Sequence, residues 1–390
     1  MKKQIQEFLF QWFMRRNIKN HKASHAREIE EMCKTAGITL SPQEGEDKFL
    51  KKWEPLMQDV NVDSYRFYSQ FLGHDPNILP DDLFHAIIDP MINDKTSLPV
   101  YLNKNMYEKV IGNVFPTCVL RKMDGNYMTP DYKDLEMTNQ LFQSMVIENQ
   151  HLKDLGRIII KPTVETGRGK GVRLFCYENG VWRSNDNKEL SLDFLNKEYG
   201  ANLIIQECIE PSDFVRQFNP TSYSTLRIYT YKSVKDGDIH FLGGYMRVGD
   251  VGSFKDNIGN GGFAIPIMED GSLAHFASNG TRNKFDVVNG VDLKNTMFKV
   301  PNFDKVLKTA FYGAEMNPLN RVVSWDIILD KENEPHIIEF NLRCQTITTM
   351  QTTYKTFFGK YTDEIIDYCK ERIKEKRYFT YSIYLKGEKE

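Results

Sequence analysis

Two apolar, strand-like runs near the end of this chain each carry a carboxylate that a buried strand should not tolerate. They are Ser324-Trp325-Asp326-Ile327-Ile328-Leu329 and His336-Ile337-Ile338-Glu339-Phe340-Asn341-Leu342-Arg343. An unpaired carboxylate in such a run is costly, so something must neutralise each acid. The segment Asp330-Lys331-Glu332-Asn333-Glu334-Pro335 reads as a hairpin turn. Symmetric closure pairs Leu329 with His336 and therefore Asp326 with Glu339. Like charges directly opposite repel, and a divalent cation between them removes the conflict. Asn341, two residues after Glu339, shares its strand face and adds a neutral oxygen. An Asp, Glu and Asn oxygen set suits a hard ion such as Mg²⁺.

The chain has 390 residues, enough for two or three subdomains. Its 41% hydrophobic and 27% charged content is that of an ordinary globular protein. A formal net charge of −2 gives no basic surplus, so no nucleic-acid partner is expected. Six scattered cysteines without a CxxC pair read as reduced thiols, and the expected location is cytoplasmic. No run is apolar and long enough to span a membrane.

The N-terminus begins Met1-Lys2-Lys3, but Gln4, Gln6, Glu7 and Gln11 interrupt its apolar residues, unlike a signal peptide. Ile5, Phe8, Leu9, Trp12 and Phe13 form one helical face, with Lys2, Lys3, Arg15, Arg16, Lys19 and Lys22 around it. The plainer reading is a helix packed on its own domain or on a second copy in a homodimer. The sharper one is peripheral contact with an anionic membrane at its inner face, or with a glycosyltransferase.

Four regions follow from the pattern. Residues 1–97 read as helical, with helical spacing also expected over Asp134–Asn149. Residues 98–205 are mixed, 206–352 are strand-rich, and 353–390 hold a helix and a charged tail. The expected fold class is α+β.

Lys161 ends the apolar strand Ile158-Ile159-Ile160-Lys161-Pro162, and Glu165-Thr166-Gly167-Arg168-Gly169-Lys170-Gly171 follows. Glycines at Gly167, Gly169 and Gly171 let backbone N–H groups approach phosphate, and Arg168 and Lys170 add charge. The Walker spacing is absent, and a plain hairpin would look the same. Further on, Leu203-Ile204-Ile205-Gln206-Glu207-Cys208-Ile209 exits into acidic residues including Asp213. Arg227, Arg247 and Arg343 sit in or beside apolar strands, where arginine suits phosphate or carboxylate.

This ordered set resembles the ATP-grasp superfamily over roughly residues 100 to 350. The resemblance implies two α+β subdomains that clamp ATP, here with a helical N-terminal region. It implies phosphate contacts from Lys104, Lys161 and the glycine loop, with Asn103 standing where the family prefers Asp. It implies adenine contacts at Gln206-Glu207-Cys208-Ile209, through the Glu207 carbonyl and the Ile209 N–H, and a ribose contact at Asp213. It assigns Asp326, Glu339 and Asn341 to magnesium (or manganese), and Arg343 to the arginine that trails them. A narrower resemblance, to the ATP-grasp group associated with sugar transfer and surface polysaccharide, rests on Pro220 to Arg227, Arg247-Val248-Gly249, Lys255-Asp256-Asn257, Gly261-Gly262 and Gly271.

The reaction so implied is ligation of a carboxylate to an amine through an acyl phosphate, with ATP spent to ADP. Arg247 and Arg343 would steady the transferring phosphoryl group, and Arg227 the acceptor carboxylate. A sugar or polyol kinase, with Asp250 or Asp256 as base, is the first alternative. A non-catalytic ATP-binding scaffold is the second.

Overall fold

The computed structural model describes residues 2–164, 169–221, 223–251, 261–343 and 345–376, excluding the side chains of Lys2, Lys3 and Gln6. It divides into two units: residues 99–212 with 327–339, and residues 1–98 with 213–326 and 340–390.

The first unit is built on a seven-stranded antiparallel sheet. Its strands are β1 (Cys118–Met123), β2 (Asn126–Met128), β3 (Asp134–Leu135), β4 (Arg157–Pro162), β5 (Arg173–Glu178), β6 (Val181–Ser184) and β7 (Leu203–Glu207). The order is β3-β2-β1-β7-β4-β5-β6, so β7 and β4 lie inside it. Ile158 and Ile160 of β4 point to one face and join Leu120, Phe175, Trp182, Leu195 and Ile205 in a hydrophobic core. Strand alternation sends Lys161 to the other face. Helix Gln150–Leu155 enters β4 from a well-defined start and stop. The Asn149 side chain accepts from Leu152 N–H, and left-handed Gly156 ends it.

The segment Asp134–Asn149 departs from the helical expectation. Asp134 and Leu135 pair with Met128 and Tyr127 as β3, and helix begins only at Asn139, where Thr138 caps it. The Leu135–Phe142 spacing mimics a helical face, and strand pairing overrides it.

The second unit opens on α1 (Lys2–Ala36), followed by α2 (Glu46–Trp53) and α3 (Val62–Leu72). No proline or glycine interrupts α1, and left-handed Gly37 follows its end. Phe10, Met14, Ile29 and Cys33 bury one stripe of it, while Ile5, Phe8 and Trp12 stay exposed. None of the helices is long and apolar enough to cross a membrane among the described residues.

Strands β8 (Thr225–Lys232), β9 (Ile239–Val248), β10 (Phe263–Ile267), β11 (Ala277–Ser278) and β12 (Lys284–Phe285) follow, then a small pair, β13 (Val287–Val288) and β14 (Val291–Asp292). With β15 (Val322–Leu329) and β16 (Pro335–Asn341), the larger sheet has the order β12-β11-β10-β9-β8-β15-β16. The division between units runs through the β15–β16 hairpin.

The N-terminal helices and helix Ile347–Thr353 pack on one face of this unit's sheet, and helix Phe303–Glu315 lies on the other, against Trp325. Tyr229, Tyr231, Tyr245, Ala264 and Val322 share a core with Phe10, Phe49, Trp53, Tyr65, Tyr68, Phe84 and Met350. That face is fixed by register: Arg227 lies opposite Tyr245, and Thr225 opposite Arg247. Directly paired residues point to the same side, so both arginines belong to the face that the N-terminal helices cover.

The hairpin turn also differs from its symmetric reading. Asp330 N–H donates to the Glu334 carbonyl at 3.0 Å, and Asn333 N–H to the Asp330 carbonyl at 2.8 Å. Asn333 is left-handed, with φ 61°, which inserts an extra residue on one side of the turn. Asp330 therefore faces Glu334, not Pro335.

Candidate functional site

Each unit carries a cluster in which cations outnumber carboxylates. In the first unit the cluster comprises Lys104, Lys161 and Glu339. Lys104 opens a short 3₁₀ turn, Lys104–Met106, that Asn103 caps by accepting from Asn105 N–H. Its own N–H donates to the Thr163 carbonyl at 2.9 Å, tying it to the chain just beyond Lys161. Its Nζ lies 3.0 Å from Glu339 Oε1. Lys161 is 8% exposed. Burial, reinforced by Lys104 and partly opposed by Glu339, pulls its pKa down to about 8. Two ammonium groups thus share one carboxylate.

The sequence did not point to Asn105, which holds this cluster in place. Its buried Nδ2 donates to the carbonyls of Lys122 at 2.9 Å and Leu203 at 3.3 Å, bridging the turn to β1 and β7. Its only sequence signal is adjacency to Lys104.

The expected linker residues fall on both faces of β7. Gln206 pairs with Ile159 and shares the Lys161 face, and its amide donates to the Pro116 carbonyl at 3.0 Å. The Glu207 side chain points the other way, 2.9 Å from His151 Nε2. Any nucleotide contact of Glu207 is therefore left to its main chain. Ile209 lies just beyond the strand.

In the glycine segment, Gly169 and Gly171 are left-handed at φ 64° and 80°. A Cβ on Gly171 would stand 3.2 Å from Pro162 Cγ, so the chain folds back tightly against the end of β4. Lys170 is exposed. Gly167 and Arg168 lie outside the described residues, as do Ser222, Lys255, Asp256, Asn257 and the charged tail from 377.

In the second unit, Asp326 on β15 is 3% exposed. Arg227 Nε and Nη2 meet its two oxygens at 2.7 Å each, and Arg247 Nη1 adds a bond of 3.1 Å. Asn341 Nδ2 stands 3.5 Å from the same carboxylate. Burial works to raise the Asp326 pKa, but Arg227 and Arg247 outweigh it and hold the acid below the usual carboxylate range. Of the two strand acids only Asp326 is buried, Glu339 being partly exposed, and the neutralisers are side chains here: arginines for Asp326 and a lysine for Glu339. Asp213 begins the turn of helix Asp213–Arg216 and is exposed, as are Asp250 and Arg343. Gln345 donates to the Asn341 carbonyl at 2.5 Å and fixes the end of β16.

Comparison with known families gives a match over residues 89–364, to the family described as sugar-transfer associated ATP-grasp. The chain belongs to this ATP-grasp family. Its α+β class and its helical N-terminal region agree with the expectation from the sequence, and its sheets are antiparallel.

Among solved structures, the ATP-grasp ligase PsnB, complexed with a phosphomimetic variant of its minimal precursor, Mg and ADP, is similar at 9% identity and a TM-score of 0.37. That likeness covers 71% of this chain and 62% of PsnB. The N5-carboxyaminoimidazole synthetase of Staphylococcus aureus, complexed with ADP, is similar at 7% identity and TM-score 0.37, over 65% of this chain and 48% of that one. The L-amino acid ligase of Bacillus licheniformis gives 12% identity and TM-score 0.34, over 70% and 49%. The chain thus spans less than two thirds of the length of each of these proteins. No curated protein matches it.

Proposed function

We propose that this ATP-grasp chain is an ATP- and magnesium-dependent carboxylate–amine ligase that acts in bacterial surface-glycan synthesis. The observation that carries the reading is the surplus of positive charge at buried Lys161 and half-buried Lys104, which Glu339 partly offsets. Burying like charges together is unfavourable, and a phosphate oxygen arriving between them reverses that cost. The resemblance to the ATP-grasp superfamily implies contacts from both lysines to ATP phosphates.

The γ-phosphoryl group of ATP passes to a substrate carboxylate oxygen, and ADP leaves. An amine then attacks the acyl carbon, phosphate departs with the former carboxylate oxygen, and the amine loses a proton. Lys104, Lys161 and the Gly169–Gly171 backbone hold phosphate. Arg247 and Arg343 offset the charge that develops during transfer. Arg227 positions Asp326 with Nε and Nη2, which leaves Nη1 for an acceptor carboxylate.

The donors assigned to magnesium are Asp326, Glu339 and Asn341. They fit a hard ion in kind, since all offer oxygen. Lys104 engages only one Glu339 oxygen, and the Asn341 contact to Asp326 uses its nitrogen, leaving its oxygen. A magnesium ion there would neutralise phosphate charge.

The deciding experiment follows ¹⁸O from a labelled carboxylate. Label in the released phosphate supports the ligase. A stable phosphate ester with no such transfer indicates the kinase, and ATP binding without turnover in any acceptor mixture indicates the scaffold.

The exposed stripe of α1 supports a peripheral membrane contact. Ile5, Phe8 and Trp12 project from one side, and Arg16 lies 5.2 Å over the Trp12 ring. Aromatic residues with adjacent cations suit an anionic bilayer surface.

A further inference from the structure

Arg282 is a half-buried cation that makes no ion pair among the described residues. It closes a turn in which its N–H donates to the Asn279 carbonyl at 3.0 Å. Its backbone is left-handed at φ 66°, a conformation that favours glycine, yet a long basic side chain stands there. Its Nε is buried and has no hydrogen-bond partner. The contact made by Nη2 is with Met32 Sδ of α1 at 4.0 Å. Among the described residues no ion pair engages it. Arginine cannot shed its proton to escape such a site, so the arrangement is incomplete without an anion.

The titratable groups that act on Arg282 are Tyr68, Tyr245 and Asp81. Asp81 is already satisfied elsewhere. Tyr68 donates to it at 2.5 Å and Thr348 at 3.0 Å, and His25 lies 3.6 Å away. The Tyr245 hydroxyl lies 3.4 Å from that of Tyr229. Ser278, four residues before Arg282, has a buried hydroxyl with no partner. It pairs with Ala264, which pairs with Arg247, so Ser278 shares the sheet face of Arg227, Arg247 and Tyr245. Tyr245 is both a neighbour of Arg282 and the residue directly opposite Arg227. Arg282 therefore lies one side chain from the arginine pair on Asp326, within one unit.

We propose that Arg282, with Ser278 and Tyr245 as hydroxyl donors, binds an oxyanion group, carboxylate or phosphate, on the acceptor substrate. The acceptor role rests on the ligase reading above. The anion site itself rests on the unpaired guanidinium. A planar fork with free N–H groups matches an oxyanion in geometry as well as charge. Helices α1 and α3 contribute Met32 and Tyr68 to its surroundings, which gives the helical N-terminal region a part in choosing the acceptor.

The test is calorimetric titration of the full chain with inorganic phosphate, with glucuronate and, separately, with ATP. One of the two anions should bind wild type saturably, and its identity distinguishes phosphate from carboxylate. R282Q should weaken that binding at least roughly tenfold, the loss of one charge-assisted bond, and R282K should keep part of it. ATP affinity should be unchanged in R282Q. R282G removes the guanidinium and relaxes the left-handed backbone, so it should unfold no lower than wild type while losing the anion.

Equal anion affinity in wild type and R282Q overturns the proposal, as does failure of both anions to saturate wild type. A large drop in the unfolding temperature of both R282Q and R282G also overturns it, because it marks a structural arginine. Arg282-dependent anion binding in a chain that ignores ATP supports the site and removes the ligase reading instead.

Discussion

Arg227 and Asp326, 99 residues apart in sequence, face each other through two parallel hydrogen bonds of 2.7 Å inside the second unit. Such a fork-to-carboxylate pair is geometrically exacting, and here its carboxylate is buried. Breaking one side leaves the other charge without compensation. Asp326→Asn should therefore lower unfolding stability by about 3–5 kcal/mol in urea titration. Arg247→Ala should cost less, because Arg227 remains.

The same pair sets an acid dependence. Asp326 is held below the usual carboxylate range, so its stabilisation is complete above the unfolded value of about 4. It is lost as pH falls through the lower, folded value. Unfolding curves between pH 5 and 2 should fall more steeply for wild type than for Asp326→Asn. Parallel curves would show that the arginines do not hold this acid.

Lys161 gives the opposite sign. Its folded pKa of about 8 lies below the unfolded value of about 10.4, so the unfolded chain carries the extra proton between them. Stability should rise with pH across that window, and Lys161→Met should abolish the rise. ATP affinity should instead weaken as pH passes 8, because the phosphates lose an ammonium. In Lys161→Met, calorimetry at pH 7 should show ATP binding weaker by roughly 10- to 100-fold, the range for a lost charge-assisted bond.

Glu339 separates turnover from folding. Its side chain is 37% exposed, and its ion pair with Lys104 is worth at most about 1 kcal/mol. Glu339→Ala should keep the unfolding temperature near that of wild type. Magnesium-dependent ATP turnover should fall by roughly 10² or more. Retained turnover would remove Glu339 from the metal set.

Gly313 lies on the helix Phe303–Glu315, where an added Cβ would stand 2.7 Å from the Trp325 ring. Trp325 is fully buried, and its indole N–H donates to Thr230 Oγ1 at 2.8 Å. Gly313→Ala should destabilise by about 1–3 kcal/mol through overpacking. Thermal unfolding checks this. Since Trp325 adjoins Asp326, the variant should also lose activity before it unfolds.

For the α1 stripe, sedimentation with vesicles containing anionic phosphatidylserine should recover the wild-type chain. A Phe8→Ser, Trp12→Ser double variant should stay in the supernatant, and high salt should weaken the wild-type interaction. Equal recovery on uncharged vesicles would argue against an electrostatic contribution.

The hairpin acids, Lys161 and the linker strand stood out in the sequence because each breaks an apolar run. A charge in such a run needs a partner, and that need is visible without coordinates. The partners were not visible. Arg227 and Arg247 meet Asp326 only because β8, β9 and β15 are neighbours in the sheet, and local spacing carries no information on that order. Symmetric counting places the turn one residue off, because left-handed Asn333 admits an asymmetric closure. Asp134 and Leu135 imitated a helix start until β2 claimed them. Arg282 carries no signal of its own, since an arginine in the segment Ser278-Asn279-Gly280-Thr281-Arg282-Asn283 reads as ordinary surface loop.

The packing of the N-terminal helices on the arginine-bearing sheet face has a consequence for engineering. Residues 1–97 cannot be swapped between relatives like a cassette, because Tyr65, Tyr68 and Phe84 share one interior with Tyr229, Tyr245 and Met350. A chimera joined near residue 97 would bring a foreign surface against that interior. New acceptor specificity would have to be transplanted as a matched patch, helices and sheet face together.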